Sequence, residues 1–287
     1  MSSSIFTPSA QTVLKKNQSP LLLLLHINAS SPLQKRVSCK GRRASSPTAL
    51  LSTTKEIILK EFHQTRALKI ISGLQNFDKD NVAAVVTAAD KGGATHVDIA
   101  CDVELVRLAT HLTSLPVCVS SVDPSAFPAA VEAGALMIIN MTKETKRLLP
   151  STVLSVTVPH TLSLPDQVKL AEQLEVEGAD IIQTEGGKSS SPSKAGVLGL
   201  IEKASPTLAA AYSISRAVRI PVMSASGLCS ITAPLAIASG ASGVGVGSAI
   251  NKLNDVVAMI AEVKTIAESL NLLRRQAQVF DETINMF

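Results

Sequence analysis

The chain has 287 residues, with 27 Lys and Arg against 23 Asp and Glu, for a formal net charge of +4. The charge is unevenly spread: residues 1–55 hold eight bases and no acid, so residues 56–287 hold 19 bases and 23 acids and are net negative. That acidic body, with one Tyr and no Trp in the chain, excludes a nucleic-acid footprint and a base-stacking surface.

The first segment, residues 1–55, is rich in Ser and carries Lys15, Lys16, Lys35, Arg36, Lys40, Arg42, Arg43 and Lys55. An acid-free, basic, Ser-rich start has the composition of an organellar transit peptide. Arginine enters only at Arg36, after a Ser/Thr-rich beginning, which favours the chloroplast over the mitochondrion. The run Leu21 to Leu25 is too short to cross a bilayer and lacks the longer apolar core of a secretory signal, so no membrane association is expected. A disordered cytosolic tail is the alternative reading of this segment. The remainder, residues 56–287, has the length of one (β/α)8 barrel.

From Ala67 onward short apolar runs alternate with helical patterns, the mark of a parallel α/β fold. Strands are predicted over Leu68–Gly73, His96–Ala100, Val117–Val122, Ala135–Asn140, Val153–Val158, Asp180–Glu185, Pro221–Ala225 and Gly243–Val246. A helix over Glu56–Arg66 is placed before them, covering the barrel bottom. Between them, Asn81–Lys91 follows Asp78 and Val103–Leu112 follows Asp102, each a ready N-cap. Pro124–Ala133 and Pro165–Glu177 begin with Pro near the first turn. Helices end at Gly93, Gly134, Gly178 and Gly240, each followed by Ala and a strand, as left-handed C-caps require. Asp255–Leu270 supplies the eighth outer helix. The tail over 272–287 is left to pack on the barrel exterior or on a second copy of the chain. An open doubly wound sheet is disfavoured, because no G-x-G-x-x-G follows the first strand. The fourth unit is short: the strand ending at Asn140 runs almost directly into a two-turn helix from Thr142.

The last two strands end in small residues, Ser224-Ala225-Ser226-Gly227 and Gly247-Ser248. Without bulky side chains, backbone N–H groups can approach an anion closely. In (β/α)8 barrels this position, after strands seven and eight, commonly holds phosphate. Ser226, Gly227, Gly247 and Ser248 are therefore candidate ligand-binding residues for a phosphorylated small molecule. The competing reading is that these residues only let helix and strand pack closely.

Reactive groups in such a barrel sit at the C-terminal strand ends. The polar residues there are Ser72, Asp98, Asp102, Ser120, Asn140, Thr157, His160, Gln183 and Glu185. Asp98, between Val97 and Ile99, suits a general acid or base, or a structural carboxylate bonded to its neighbours. Glu185 is a second acid/base candidate and opens a Gly/Ser-rich loop, Gly186 to Ser191, that reads as a lid or as an ordinary surface loop. His160 is a candidate to shuttle a proton or hydrogen-bond a ligand, or a helix-cap or packing residue, and Gln183 is a candidate to orient a ligand. Lys69 lies early in the first strand, where it is expected to pair with an acid inside or below the barrel rather than form a Schiff base. Three cysteines, Cys101, Cys118 and Cys229, lie in the body with no Cys-x-x-Cys pair; they suggest neither disulfides nor zinc, and core packing is expected for each. No metal-binding motif is present and no cofactor is indicated.

The runs FHQTRALKIISGLQNFD (Phe62–Asp78), GGATHVDIACD (Gly92–Asp102), LPVCVSSVDP (Leu115–Pro124), VTVPHTL (Val156–Leu162) and ADIIQTEGG (Ala179–Gly187) resemble the family of hypothetical chloroplast open reading frame 23. The resemblance implies a plastid location, here the stroma, and a TIM-barrel-like fold; it implies no reaction. Members of that family carry a longer segment between the fourth strand and the Lys143-Glu144-Thr145 helix than this chain does. The expectation is a phosphate-binding (β/α)8 barrel acting as isomerase, lyase or synthase. A non-catalytic phosphometabolite sensor or scaffold is the alternative.

Overall fold

The computed structural model describes residues 47–139, 143–187 and 192–272. Most of the basic leader, Asn140, the middle of the loop after Glu185 and the tail beyond Leu272 lie outside the described residues.

Eight strands form a closed parallel barrel in chain order. They are β1 (Ala67–Ile71), β2 (His96–Ala100), β3 (Val117–Ser120), β4 (Met137–Ile139), β5 (Val153–Val158), β6 (Ile181–Thr184), β7 (Val222–Ala225) and β8 (Gly243–Val246). β8 returns to β1 in the register Ala67↔Gly243 and Lys69↔Gly245, which closes the ring. The helices are α1 (Pro47–His63), α2 (Lys79–Gly92), α3 (Val103–Leu112), α4 (Phe127–Glu132), α5 (Lys143–Leu148), α6 (Leu164–Val176), α7 (Gly196–Ile214), α8 (Ala233–Ala238), α9 (Ser248–Asn251) and α10 (Val256–Ser269). None is long and apolar enough to cross a membrane, among the described residues.

The caps explain where these helices begin and end. Asp78 accepts from the N–H groups of Asp80 and Asn81, and Asp102 from those of Glu104 and Leu105. Gly93, Gly134, Gly178 and Gly240 all take positive φ, which a Cβ would resist. The expected helix over Pro124–Ala133 is divided: a 3-10 turn over Pro124–Ala126, capped by Asp123, precedes α4.

The apolar core separates into two clusters, one on each face of the same sheet. Outward residues such as Leu68, Ile70, Val97, Ile99, Val244 and Val246 meet the helices. Inward residues, Ala67, Cys118, Met137, Ile139, Val153, Ile181 and Met223, fill the lumen. This is the period-two alternation of a strand buried on both sides. α1 closes the lumen from below: Ile58 and Phe62 belong to the inward cluster, and the Phe62 ring lies 5.1 Å from that of His96. α1 begins at Pro47 rather than at Glu56, and Lys55 pairs with Asp180 at 2.6 Å. Asp180 also takes Lys146 of α5 at 2.7 Å and the N–H of Leu154. The short fourth unit does not open the ring, because β4 pairs with β3 through Cys118↔Met137 and with β5 through Met137↔Val153.

Candidate functional site

The strand alternation that fills the lumen with apolar residues also places Lys69, Asp98, Ser120 and Gln183 on its inward side. Lys69 is fully buried and Asp98 is 2% exposed. Lys69 Nζ lies 3.2 Å from Asp98 Oδ2 and donates to Gln183 Oε1 at 3.0 Å. Ser120 Oγ donates to the other Asp98 oxygen at 2.7 Å. Asp98 is thus held by an ammonium and a hydroxyl, and Lys69 has the internal acid partner its position in β1 implied. Gln183 is half-buried, so this cluster reaches from the lumen toward the C-terminal mouth.

His160 and Glu185, at the ends of β5 and β6, come together. His160 Nδ1 lies 2.8 Å from Glu185 Oε2, and the His160 backbone N–H donates to the same oxygen at 3.3 Å. A carboxylate only accepts, so Nδ1 carries the proton in this contact, and Nε2 has no partner among the described residues.

The two small-residue turns follow β7 and β8, which pair through Ala225↔Gly245. Ser226 and Gly227 both take positive φ, 79° and 73°. Gly247 caps α9, the short helix after β8. Among the described residues the backbone N–H groups of Ser226, Gly227, Gly247 and Ser248 donate to no protein acceptor. The turns are pressed against their neighbours. A Cβ on Gly186 would lie 2.9 Å from the Ser226 Cβ, and one on Gly227 2.8 Å from the Lys203 carbonyl oxygen. Gly186 follows Glu185 directly, so the His160–Glu185 pair stands beside the Ser226 turn. Asn251 ties α9 to the end of β1 by donating to the carbonyls of Ile71 and Ser72 at 2.9 and 3.1 Å.

Other polar candidates have structural partners. Asp102 caps α3, and Ser72 Oγ accepts from Asn76 Nδ2 at 2.8 Å. Cys118 is fully buried in the lumen, and burial, with Asp98 beside it, holds its thiol far above the ordinary range. Burial likewise pushes the Cys101 thiol up to about 11, with Asp102 and Asp123 adding to it. Neither is a thiolate nucleophile. Among the described residues, no group of three or more His, Cys, Asp or Glu is placed to hold a metal ion. A cavity of about 240 Å3 lies at the other end of the barrel, against Phe62, His63, Arg219 and Ser242, and includes none of the candidate residues.

Lys69 has the internal acid partner that was expected of it, but the sequence did not say which acid. Its signal is a charge between Leu68 and Ile70 at an inward position of a strand buried on both faces. Asn251 carried no sequence signal, since its partners Ile71 and Ser72 lie at the far end of the chain.

Solved structures with the same architecture include thiamine phosphate pyrophosphorylase from Pyrococcus furiosus, 21% identical with a TM-score of 0.52, covering 72% of this chain and 96% of that one. Another is 3-hexulose-6-phosphate synthase, 15% identical with a TM-score of 0.54, covering 71% and 99%. At this identity the likeness establishes the TIM-barrel fold alone. Sequence relatives are closer. The uncharacterized protein ycf23 of Porphyra purpurea is 35% identical over 235 residues, 75% of this chain and 88% of the relative. That of Cyanophora paradoxa is 38% identical over 229 residues, 72% and 94%. These relatives bear the name of the chloroplast open reading frame whose sequence runs this chain resembles. The family model matches residues 52–140 and 136–276, two stretches that meet at β4, where the fourth unit is short. On these matches the chain belongs to the ycf23 family, described as protein of unknown function (DUF561).

Proposed function

We propose that this protein is a chloroplast stromal barrel that binds a small phosphorylated metabolite at its C-terminal face and acts on it as an isomerase, lyase or synthase. The observation that carries the reading is the set of four backbone N–H groups, at Ser226, Gly227, Gly247 and Ser248, that have no acceptor among the described residues, on two adjacent strand turns. Such groups suit an anion because they offer oriented donors without a bulky side chain. The His160–Glu185 contact beside them supplies a proton-transfer pair, with Glu185 as acid/base and His160 holding it. Gln183 orients the ligand. Asp98, held by Lys69 and Ser120, supports the site from below. The names of the structural neighbours, a thiamine phosphate pyrophosphorylase and a hexulose-6-phosphate synthase, agree with a phosphorylated ligand. The basic, acid-free leader and the ycf23 relatives support the stromal location.

The test is thermal unfolding against inorganic phosphate and a panel of phosphorylated metabolites. A ligand at 100 times its Kd adds about 2.7 kcal/mol. For a domain of this size that raises Tm by roughly 5–10 °C. Gly247→Asp, which sets a carboxylate at the turn, is expected to abolish the shift. A Tm unmoved by every phosphorylated compound would overturn the reading. The saturation of Asp98 by Lys69 and Ser120 favours a second reading, a sensor that binds without turnover. A bound ligand recovered chemically unchanged after prolonged incubation would select it.

A further inference from the structure

We propose that the ligand is a phosphorylated aldehyde or ketone, whose carbonyl oxygen is received by the side-chain amide of Gln183. This rests on the phosphate reading above and deepens it. An ammonium can only donate, so the contact of 3.0 Å with Gln183 requires the amide oxygen to face Lys69. The amide NH2 then points away from the ammonium, and among the described residues it has no protein partner. The sequence alone identifies Gln183 as polar; the contact with Lys69 fixes which end of the amide is on offer.

The contact also changes the strength of that donor. A positive charge on the amide oxygen draws electrons from the nitrogen, so the N–H groups become better donors, as in any polarised hydrogen-bond chain. The charge on Lys69 is already balanced by Asp98 at 3.2 Å, and Glu185 lies two residues beyond Gln183. A ligand carboxylate at this position would meet no spare positive charge and a neighbouring acid. A neutral acceptor that gains negative charge during reaction fits better, and a carbonyl oxygen is that acceptor. The buried ion pair itself points to use: desolvating two charges in a barrel lumen is often no better for stability than apolar packing.

The chemistry that follows is enolisation. Glu185 takes a proton from the carbon next to the carbonyl. The C–H electron pair forms a C=C bond and the carbonyl π pair moves to oxygen, where the Gln183 N–H groups hold it. On an α-hydroxy carbonyl compound, the hydroxyl proton of the deprotonated carbon passes to the former carbonyl oxygen, and its O–H pair forms the new C=O. The C=C pair takes the proton back from Glu185 at the former carbonyl carbon, and the isomerisation is complete with no oxidant or reductant. Lys69 is a positioning residue here, acting through Gln183.

The experiment is calorimetric titration of the full chain with two matched pairs: dihydroxyacetone phosphate against glycerol 3-phosphate, and ribulose 5-phosphate against ribitol 5-phosphate. In at least one pair the carbonyl compound is expected to bind about tenfold more tightly, the worth of one charge-assisted hydrogen bond. Gln183→Leu removes that preference and leaves the affinity for inorganic phosphate unchanged. The double variant Lys69→Met/Asp98→Leu, which leaves no uncompensated charge, lowers the preference without changing the Kd of the reduced partner; a merely structural role would move both ligands alike. Equal affinities in both pairs, or a preference that survives Gln183→Leu, would overturn the inference while the phosphate site stands. Failure of every compound, inorganic phosphate included, would overturn the phosphate site and this inference with it.

Discussion

Lys69 Nζ and Asp98 Oδ2 lie 3.2 Å apart where neither side chain is more than 2% exposed. Removing one partner leaves the other charged and buried. Lys69→Met is expected to lower unfolding free energy by about 3–5 kcal/mol. Lys69→Met/Asp98→Leu is expected to lie within roughly 1 kcal/mol of the native chain, because no lone charge remains. Chemical denaturation of the two variants measures the contrast, and equal losses would refute it.

A pH dependence follows from His96. Burial holds its imidazole down to about 4, although the contact with the Ile58 carbonyl works the other way. The folded state keeps the ring neutral, whereas the unfolded chain takes up a proton near 6.5. Between those values the unfolded state binds more protons, so stability is complete above about pH 6.5 and falls as pH drops toward 4. The full effect of the shift is about 3 kcal/mol. His96→Asn is expected to flatten this part of the curve of unfolding free energy against pH, even if it lowers the whole curve.

α2 and α10 meet at Gly92, where a Cβ would stand 2.5 Å from both the Val263 Cβ and its Cγ1, and Val263→Ala removes the Cγ1 contact. Gly92→Ala is expected to cost about 1–3 kcal/mol through overpacking. Gly92→Ala/Val263→Ala should recover part of that cost, and a double-mutant cycle of Tm or denaturation midpoints measures the coupling.

The two thiols with raised pKa values give a chemical readout. With Cys101 pushed up to about 11, its thiolate is scarce at pH 8. Alkylation by iodoacetamide is expected to be roughly a hundredfold slower in the folded chain than in the denatured one. Cys118, buried and beside Asp98, is expected to react more slowly still. Peptide mass spectrometry resolves each site.

The barrel was legible because its strands are buried on both faces and its helices stop at glycine. Runs such as Val97 to Ala100 and Val153 to Val158 need no partner to be recognised, and Gly93, Gly134, Gly178 and Gly240 take the positive φ that their position implied. α1 was placed too late, since residues before Glu56 share the basic, acid-free composition of the leader and yet continue the helix. α7 carries Pro206 in its interior, a residue that ordinarily ends a helical pattern. For the candidate site, the strand ends named His160, Glu185, Asp98 and Gln183 without saying who meets whom. His160 and Glu185 are separated by 25 positions and Lys69 and Gln183 by 114, so only closure of the ring defines those contacts.

The helix that stoppers the lumen has a consequence for how the molecule is made. Ile58 and Phe62 leave the ribosome before any strand, yet they share a cluster with Met223 of β7. The stopper therefore appears before every strand and is among the last elements to be seated. Until β7 is made, the chain carries this apolar segment unburied, a natural handle for a chaperone. A cut beyond Lys55 would sever the tether to Asp180 and deliver a barrel whose floor is loose.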